Sequence, residues 1–400
     1  MSEPVPWVAH LEPAVHGAAA AGAAPSDGSN LAGEPLDFSF NGNVIGPPTG
    51  AIEALRNVDV SRYPDRDALA LRRAIARRHG VGIDHVVVGN GSTELIWAVA
   101  RAYLAPGRAA LVVGPTYGEY AVASAATGAE VSWPDAPPLP NPPPRGGEGT
   151  DESLSPREFQ VPGSRFQVQG STLNSEPGTR NLEPYVVWLC HPNNPTGAPF
   201  PIEGLAQLMD RAPRALFVVD EAYLPLCRDL ASALRLVGTG RVAVLRSMTK
   251  DAALAGLRLG YAVAHPSVID VVRRVIPPWS VSSVAQAAGL AAVADEQHAE
   301  RARAAVAAAR VHLEDGLRRL GMYPHPSVAN FLLVDVGNGR AVTDALRCHG
   351  CIVRDCASFG LASCIRIGVR PIADQERLLA ALAALGRPAN SQPPTGEAGV

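Results

Sequence analysis

The sequence LRSMTKDAALAGLRLGY, residues 245–261, combines a strand end, a small polar turn and a single charge inside an apolar run. The apolar run over residues 242–245 predicts a buried strand, and Ser247, Thr249 and Lys250 follow it. A lysine that ends a buried strand is costly unless a partner neutralises its charge or its amine reacts. Desolvation lowers the pKa of such an amine, which suits an attack on a carbonyl carbon.

The polar side chains around Lys250 indicate an anion-binding site. Ser247, Thr249 and Arg258 supply two hydroxyls and a guanidinium close to the amine in sequence, and phosphate is the anion that suits such a set best. A lysine that forms a Schiff base beside a phosphate-binding group suggests pyridoxal phosphate as the cofactor. The alternative is a surface lysine in a loop between a strand and a helix, and this stretch alone does not separate the two.

Length and composition restrict the classes of protein that fit. The chain has 400 residues, enough for one large α/β domain and a smaller one. Its net charge of −3 and pI near 6.4 predict no basic face for nucleic acid or for an anionic membrane. No apolar run approaches the roughly 20 residues of a membrane span, and the N-terminus lacks the basic region of a signal peptide. We therefore expect a cytoplasmic protein without nucleic-acid or membrane partners.

Cys348 and Cys351 have the CxxC spacing of a redox pair or of half a zinc site. No second CxxC or histidine pair accompanies them, and the other cysteines are scattered through strand-like segments. We interpret the pair as structural and predict no metal site.

Five predicted strands each end in a polar group. The carboxyl ends of parallel strands meet at one edge of a sheet, where open α/β folds bind their ligands. The groups are Ser92 and Thr93 after residues 86–90, Tyr117 after 110–113, Asn194 after 185–190, Asp220 and Tyr223 after 216–219, and Lys250 after 242–245. One such group carries little information, but five at successive strand ends predict a single site.

Two segments are predicted to lack regular structure. Residues 1–35 are rich in Ala, Gly, Pro and Ser, which is typical of a mobile arm. Residues 135–184 are rich in Pro, Gly and Ser with almost no periodicity, which indicates a disordered insertion.

The last third of the chain predicts a compact α+β unit that follows a long alanine-rich helix over residues 295–320. Its final strand, residues 364–369, contains Arg366, and Arg370 comes just after that strand. An arginine inside an otherwise apolar strand usually has an anionic partner. Near the N-terminus, Asn41 and Asn43 lie in a turn-rich segment that is suited to pointing amide groups at a ligand.

Four motifs in order resemble the fold-type I, class I and II aminotransferases. They are HPNNPTG at 191–197, DEAY at 220–223, SMTK at 247–250 followed by GLRLGY at 256–261, and IRIGVR at 365–370. The resemblance covers residues 36–386 apart from the insertion, and it is closest to the branch that contains histidinol-phosphate aminotransferase and threonine-phosphate decarboxylase.

The resemblance implies an α/β fold. A large domain, residues 61–280, would hold a mostly parallel seven-stranded sheet flanked by helices and would bind pyridoxal phosphate. A smaller α+β domain would combine residues 36–60 with 281–386, and residues 387–400 would form a disordered tail.

The resemblance also implies a role for each candidate residue. Lys250 would form the Schiff base and then move the proton between the substrate Cα and the cofactor, and Asp220 would keep the pyridine nitrogen protonated. Asn194 and Tyr223 would hydrogen-bond the ring oxygen, and Tyr117 would stack on the ring. The phosphate would be bound by Ser92, Thr93, Ser247, Thr249 and Arg258, and Tyr63 would reach the phosphate of the neighbouring subunit in a homodimer. The substrate would be bound by Asn43, Arg366 and Arg370.

The implied reaction moves an amino group from histidinol phosphate or an aromatic amino acid-like donor to a 2-oxo acid such as 2-oxoglutarate. The alternative is the threonine-phosphate decarboxylase of cobalamin synthesis, because both reactions share the cofactor site and differ in the Cα bond that breaks. Two departures from the family concern the substrate side: the usual proline after the second asparagine of residues 41–43 is missing, and no N-terminal tyrosine motif is evident. A non-enzymatic sensor would need a DNA-binding module, which the first 35 residues cannot supply.

Overall fold

The computed structural model describes residues 4–16, 35–133 and 183–386. The predicted tail over residues 387–400, most of the predicted insertion and residues 17–34 of the predicted arm lie outside the described residues. The strands are β1 (Leu36–Asp37), β2 (Val86–Asn90), β3 (Ala109–Val112), β4 (Glu130–Ser132), β5 (Pro184–Cys190), β6 (Leu216–Asp220), β7 (Val242–Ser247), β8 (Leu259–Ala264), β9 (Phe331–Asp335), β10 (Cys351–Ile352), β11 (Arg354–Asp355) and β12 (Cys364–Gly368).

Helices follow or connect most of these strands. They are α1 (Pro6–Ala9), α2 (Thr49–Leu55), α3 (Leu69–His79), α4 (Gly91–Tyr103), α5 (Glu119–Ala125), α6 (Leu205–Arg211), α7 (Pro266–Arg273), α8 (Ser283–Ala294), α9 (Glu296–Arg319), α10 (Gly339–Cys348) and α11 (Ile372–Ala384). None of the helices within the described ranges has the length and hydropathy needed to cross a bilayer.

The large sheet has seven strands in the order β2-β8-β7-β6-β5-β3-β4. Every neighbouring pair is parallel except those of β8, which runs antiparallel to both β2 and β7. The strands are apolar on both faces, as parallel strands covered by helices must be. This confirms the predicted mostly parallel seven-stranded sheet.

Alternate residues of each strand feed two cores, one on each face of the sheet. In β6, Phe217 and Val219 pack with α2, α3, α6 and α8, whereas Leu216 and Val218 pack with α4, α5 and α7. The prediction that helices flank the sheet is thereby confirmed, and the structure places them on both faces.

A smaller unit is built on the antiparallel sheet β11-β12-β9 and on the parallel pair β1-β10. Its core contains Phe38 from the N-terminal side together with residues of α9, α11, β9 and β12. An N-terminal segment therefore completes a C-terminal α+β unit, as predicted. The strand predicted around residues 352–354 is divided into β10 and β11.

Packing assigns two helices differently from the predicted domain limits. Ala51 of α2 and Ala285 and Ala288 of α8 lie in the core of the large sheet rather than in the smaller one. Domains drawn by packing would therefore place both helices with the large sheet, and the limits at 60 and 280 stay a prediction.

Candidate active site

A cleft of about 640 Å³ lies where the carboxyl ends of the large sheet face the smaller unit. Its position follows from topology, because the loops after β2, β3, β5, β6 and β7 all open on the same edge of the sheet. Predicted site residues that line the cleft are Thr93, Tyr117, Asn194, Tyr223, Lys250, Arg258 and Arg366.

Lys250 lies in the turn after β7, with its Nζ 4.8 Å from the centroid of the Phe40 ring and 5.8 Å from that of Tyr223. Burial, together with the guanidinium groups of Arg366 and Arg258, lowers the pKa of the Lys250 amine to about 8. Lys250 is also the only lysine in the chain: every other residue among the 35 lysines and arginines is an arginine. The single side-chain amine of the protein thus lies in the cleft with a depressed pKa.

The depressed pKa predicts how the protein captures an aldehyde. Only the neutral amine attacks a carbonyl, so we expect the rate at which cofactor-free protein takes up pyridoxal phosphate to rise with pH through a midpoint near 8. The folded protein binds fewer protons than the unfolded chain between about 8 and the ordinary value of 10.5, so this group makes the free energy of unfolding rise with pH in that window. Stopped-flow absorbance measures the first effect, with Lys250→Ala as the blank. A rate that stays flat until above pH 10 would contradict the environment described.

Asp220 is a buried carboxylate at the end of β6. Its Oδ2 accepts a hydrogen bond of 2.8 Å from the Tyr120 hydroxyl, and its Oδ1 accepts one of 3.0 Å from the Ala222 amide. Burial raises the pKa of the Asp220 carboxyl to about 6, while both hydrogen bonds and the Lys250 ammonium act in the opposite direction. Tyr120 is itself fixed, because its ring stacks on Trp188 with a centroid distance of 5.4 Å. The carboxylate is therefore held in place and ionised at neutral pH.

The polar groups of Asn194 and Tyr223 lie at the wall between the two units. The Tyr223 hydroxyl accepts a hydrogen bond of 3.3 Å from Asn41 Nδ2, and its ring packs edge-on against Phe331. The side-chain oxygen of Asn194 accepts a hydrogen bond from Arg366 Nη1. Residues of the large sheet are thus bonded directly to residues of the smaller unit across the cleft.

The start of α4 and the turn after β7 form a cradle for an anion. Gly91 begins α4 with a φ of +77°, and the Arg258 guanidinium lies so close that a Cβ on Gly91 would be 2.9 Å from Nη2. A Cβ on Gly260 would be 2.5 Å from the Ser92 amide nitrogen, so glycine is required for β8 to approach the helix start. Ser247, which is opposite Gly260 in the β7–β8 pair, and Thr249 add two hydroxyls that lie 2.8 Å from each other. Amides at a helix N-terminus, hydroxyls and a guanidinium are typical partners of phosphate.

Arg366 is a buried guanidinium whose partners are all neutral. Its Nη2 donates to the Ser39 carbonyl at 2.8 Å, Nη1 donates to Asn194, and Nε has no hydrogen-bond partner. No acidic side chain of the described residues forms a salt bridge with it. Burial lowers the pKa of Arg366. A buried cation without a carboxylate partner is suited to binding an anionic ligand.

Seven of the fourteen predicted site residues do not line the cleft. Asp220, Ser247 and Thr249 lie at the strand end and in the turn described above, and the other four are Arg370, Asn43, Tyr63 and Ser92. Arg370 pairs with Asp374 at 2.9 Å and donates to the Asp37 carbonyl, so the structure uses it to hold α11 against β1. Asn43 donates to the Asp251 carbonyl at 2.7 Å, behind the reactive lysine. Tyr63 lies on the surface with 82% of its area exposed. Ser92 is half-buried, and its backbone nitrogen lies next to Gly260.

The cleft also contains residues that the sequence motifs do not reveal. Asn41, rather than Asn43, lies on its wall. Arg354 lies directly opposite Arg366 in the antiparallel pair β11–β12, and side chains opposite each other project from the same face of a sheet. His16 and Trp97 complete the outer wall. The sequence motifs do not indicate Arg354, because its place in the cleft is set by the pairing of β11 with β12.

The predicted mobile arm is partly described. Arg354 donates to the carbonyls of Val15 at 3.0 Å and His16 at 3.3 Å, and the His16 ring lies 5.7 Å from that of Tyr117. These contacts do not measure mobility, so a mobile arm stays a prediction.

Pyridoxal phosphate fits the residues present. The cleft holds one reactive amine, a buried carboxylate that interacts with this amine is suited to a protonated pyridine nitrogen, and Gly91 and Gly260 keep the cradle open to a phosphate. Within the described residues no group of three or more His, Cys, Asp or Glu side chains is placed to bind a metal ion.

Comparisons with known proteins agree with this geometry. The family model of aminotransferase class I and II matches residues 34–133 and 169–385. Histidinol-phosphate aminotransferases of Rhodospirillum centenum and Symbiobacterium thermophilum are each 34% identical to the chain, and the matches cover 87% and 88% of this chain and 90% and 91% of those proteins.

Solved structures show the same fold. The histidinol-phosphate aminotransferase of Sinorhizobium meliloti in complex with pyridoxal-5'-phosphate has a TM-score of 0.71 at 23% identity, over 88% of this chain and 92% of that one. The L-threonine-O-3-phosphate decarboxylase of Porphyromonas gingivalis has a TM-score of 0.68 at 23% identity, over 88% and 99%. With the family model and the close relatives, the chain belongs to the class I and II aminotransferases, and it is an aminotransferase whose cofactor is pyridoxal phosphate.

Proposed function

We propose that the protein transfers the amino group of histidinol phosphate to 2-oxoglutarate. The observation that carries the proposal is the pair of arginines, Arg366 and Arg354, on the wall of the cleft that holds Lys250. Such a pair suits a donor that carries an anionic group in addition to its amine. The relatives named as histidinol-phosphate aminotransferases support this choice of donor.

Pyridoxal phosphate, when bound, supplies an electron-poor ring that accepts the electron pair left on the substrate Cα. Lys250 would hold the cofactor covalently, and its amine would move the Cα proton of the substrate. Asp220 keeps the pyridine nitrogen protonated, because a buried carboxylate held by Tyr120 and Ala222 is an anion fixed in one place. Asn194 and Tyr223 donate to the ring oxygen.

The cradle at the start of α4 binds the cofactor phosphate in this proposal. The amides of the helix start act together with the Ser247 and Thr249 hydroxyls and with Arg258, and Thr93 lines the same wall. Tyr117 stacks on the cofactor ring. Arg366 binds the anionic group of the substrate bidentately, and Arg354 adds a second guanidinium on the same face of the sheet.

We also propose a homodimer, in which Tyr63 reaches the cofactor phosphate of the neighbouring subunit. The Tyr63 ring lies 5.0 Å from that of Trp279, and Val60, Tyr63 and Trp279 are 76%, 82% and 46% exposed. Large apolar side chains exposed together are typical of an interface. For the location we propose the cytoplasm, since all six cysteines are free thiols.

The test of the proposed reaction compares two products. Purified protein loaded with cofactor is given histidinol phosphate and 2-oxoglutarate, and we expect glutamate to form because both substrates carry an anion for the arginine pair. The same protein given threonine phosphate alone should release no carbon dioxide. Arg366→Lys keeps the charge but loses the bidentate geometry, so kcat/KM for the donor should fall by about ten- to a hundredfold. Carbon dioxide release without glutamate would replace this reaction by decarboxylation while leaving the family unchanged.

A further inference from the structure

Glu119 is a buried carboxylate at the start of α5 that no step of the proposed reaction uses. Its side chain is 9% exposed, and each of its oxygens has one partner. Oε2 accepts a hydrogen bond of 2.8 Å from the Trp97 indole, and Oε1 lies 2.8 Å from His16 Nε2. A buried carboxylate needs a hydrogen-bond donor on each oxygen, and the His16 ring is the group that faces Oε1.

The two donors differ in how firmly they are held. Trp97 lies on α4, whose apolar side chains pack in the core of the large sheet. His16 belongs to a segment with one short helix, α1, that has no buried residue, and half of the His16 side-chain surface (50%) is exposed. One donor to Glu119 therefore belongs to a helix of the packed core, whereas the other is a half-exposed side chain in a segment whose helix has no buried residue.

The other contacts of His16 are ones that a ligand in the cleft would also make. Its imidazole lies against the Tyr117 ring, and the carbonyls of Val15 and His16 accept hydrogen bonds from Arg354. The segment thus presents an imidazole to Glu119 and oxygen acceptors to a cleft arginine. Histidinol phosphate carries the same two features, an imidazole and an oxygen-rich anionic group.

We propose that Glu119, Trp97 and Tyr117 form a subsite for the imidazole ring of the amino donor, and that His16 of the same chain competes for this subsite. The subsite takes a flat ring that carries an N–H donor: the carboxylate accepts the N–H and the aromatic side chains contact the ring. Threonine phosphate has no ring, so the subsite discriminates between the two donors that share the cofactor site. This inference deepens the proposed function and rests on it for the identity of the donor.

Steady-state kinetics test the subsite by comparing the effect of one substitution on two amino donors, histidinol phosphate and glutamate. Glu119→Gln removes the charge but keeps the size and an acceptor, so we expect KM for histidinol phosphate to rise about tenfold, as the loss of one charge-assisted hydrogen bond predicts. The value of kcat, and the half-reaction with ringless glutamate, should stay within about twofold. A merely structural role for Glu119 would weaken both donors alike, and that result overturns the proposal.

Competition by His16 predicts that its removal changes KM for histidinol phosphate in the opposite direction to Glu119→Gln. His16→Ala should lower KM for histidinol phosphate, whereas the matched control His10→Ala, an exposed histidine at the end of α1 in the same segment, should leave it unchanged. If His16→Ala raises KM, His16 is part of the substrate wall and the competition is overturned.

A readout without turnover separates this proposal from the proposed function. Chymotrypsin cleavage after Trp7 of the cofactor-loaded protein should accelerate when histidinol phosphate displaces residues 4–16, and threonine phosphate should have no such effect. Absence of glutamate from the wild-type assay would overturn the reaction, and the cleavage experiment would still decide the subsite. Cleavage that histidinol phosphate leaves unchanged would overturn the subsite even in an active transaminase.

Discussion

Replacing Lys250 by alanine is expected to abolish the visible absorbance of the cofactor-loaded protein and to reduce transamination by more than about a thousandfold. Two losses combine: the covalent link to the cofactor, and the base that moves the Cα proton, which alone contributes about 10²–10⁴-fold in enzymes. Absorbance after incubation with pyridoxal phosphate and gel filtration measures the first loss, and glutamate formation measures the second.

The composition of the chain makes this experiment unusually clean. Because Lys250 is the only lysine, reduction with borohydride should attach one phosphopyridoxyl group to one tryptic peptide, with the N-terminal amine as the only other amine. Lys250→Arg serves as the matched control, since it keeps a cation in the cleft but cannot form a Schiff base. A wild-type protein that remains colourless after incubation with pyridoxal phosphate would overturn the assignment.

Replacing Asp220 by asparagine is expected to lower kcat by about a hundredfold or more while the cofactor remains bound. The neutral amide cannot keep the pyridine nitrogen protonated, so the cofactor ring accepts the Cα electron pair poorly, and losses of one preorganised electrostatic group are of this size. Single-turnover kinetics measure the chemical step, and the absorbance spectrum confirms that the cofactor is present.

Tyr120→Phe is the matched control for Asp220. It removes the hydrogen bond of 2.8 Å to Oδ2 but keeps the carboxylate and the ring that stacks on Trp188. We expect a loss of about tenfold, smaller than that of Asp220→Asn, because the carboxylate remains and the loss of one donor to it costs about 1.5 kcal/mol. Rates within a few-fold of wild type in Asp220→Asn would show that Asp220 is not the partner of the pyridine nitrogen.

The fold and the family could be predicted because the motifs sit where a parallel sheet gathers them. Each strand of the large sheet is a short apolar run, and the residue that follows it is held by topology at one edge. Thr93, Tyr117, Asn194, Tyr223 and Lys250 therefore meet in one cleft whatever the lengths of the helices between them. The roles assigned to these residues stay predictions until the variants are measured.

The substrate side was harder to predict because it depends on turns and on the pairing of short strands. Sequence spacing does not reveal which of Asn41 and Asn43 faces the cleft, since both lie in an irregular segment whose direction is set by contacts with Gly368 and Asp251. Arg370 follows β12 and turns back to Asp374, whereas Arg354 is brought opposite Arg366 by a hairpin. The motifs alone predicted Arg370 as the second arginine, whereas Arg354 is the one that lines this cleft beside Arg366.

The amino-acid composition carries a signal of its own about Lys250. A chain with a single lysine among its many arginines marks that lysine as a position where a guanidinium does not suffice. The amine must titrate or react, which a guanidinium cannot do. That observation favours a reactive lysine over a surface lysine in a loop.

The pairing of β2 with β8 has a consequence for the chain during its synthesis. Asn90 and Gly89 of β2 are opposite Leu259 and Gly260 of β8, so the helix start that forms the anion cradle lacks its neighbouring strand until nearly two thirds of the chain exists. At the usual rate of about 5–20 residues per second, a ribosome needs on the order of ten seconds or more to reach β8. A nascent chain therefore cannot retain the cofactor until late in translation, and β2 must meanwhile be protected as an unpaired edge.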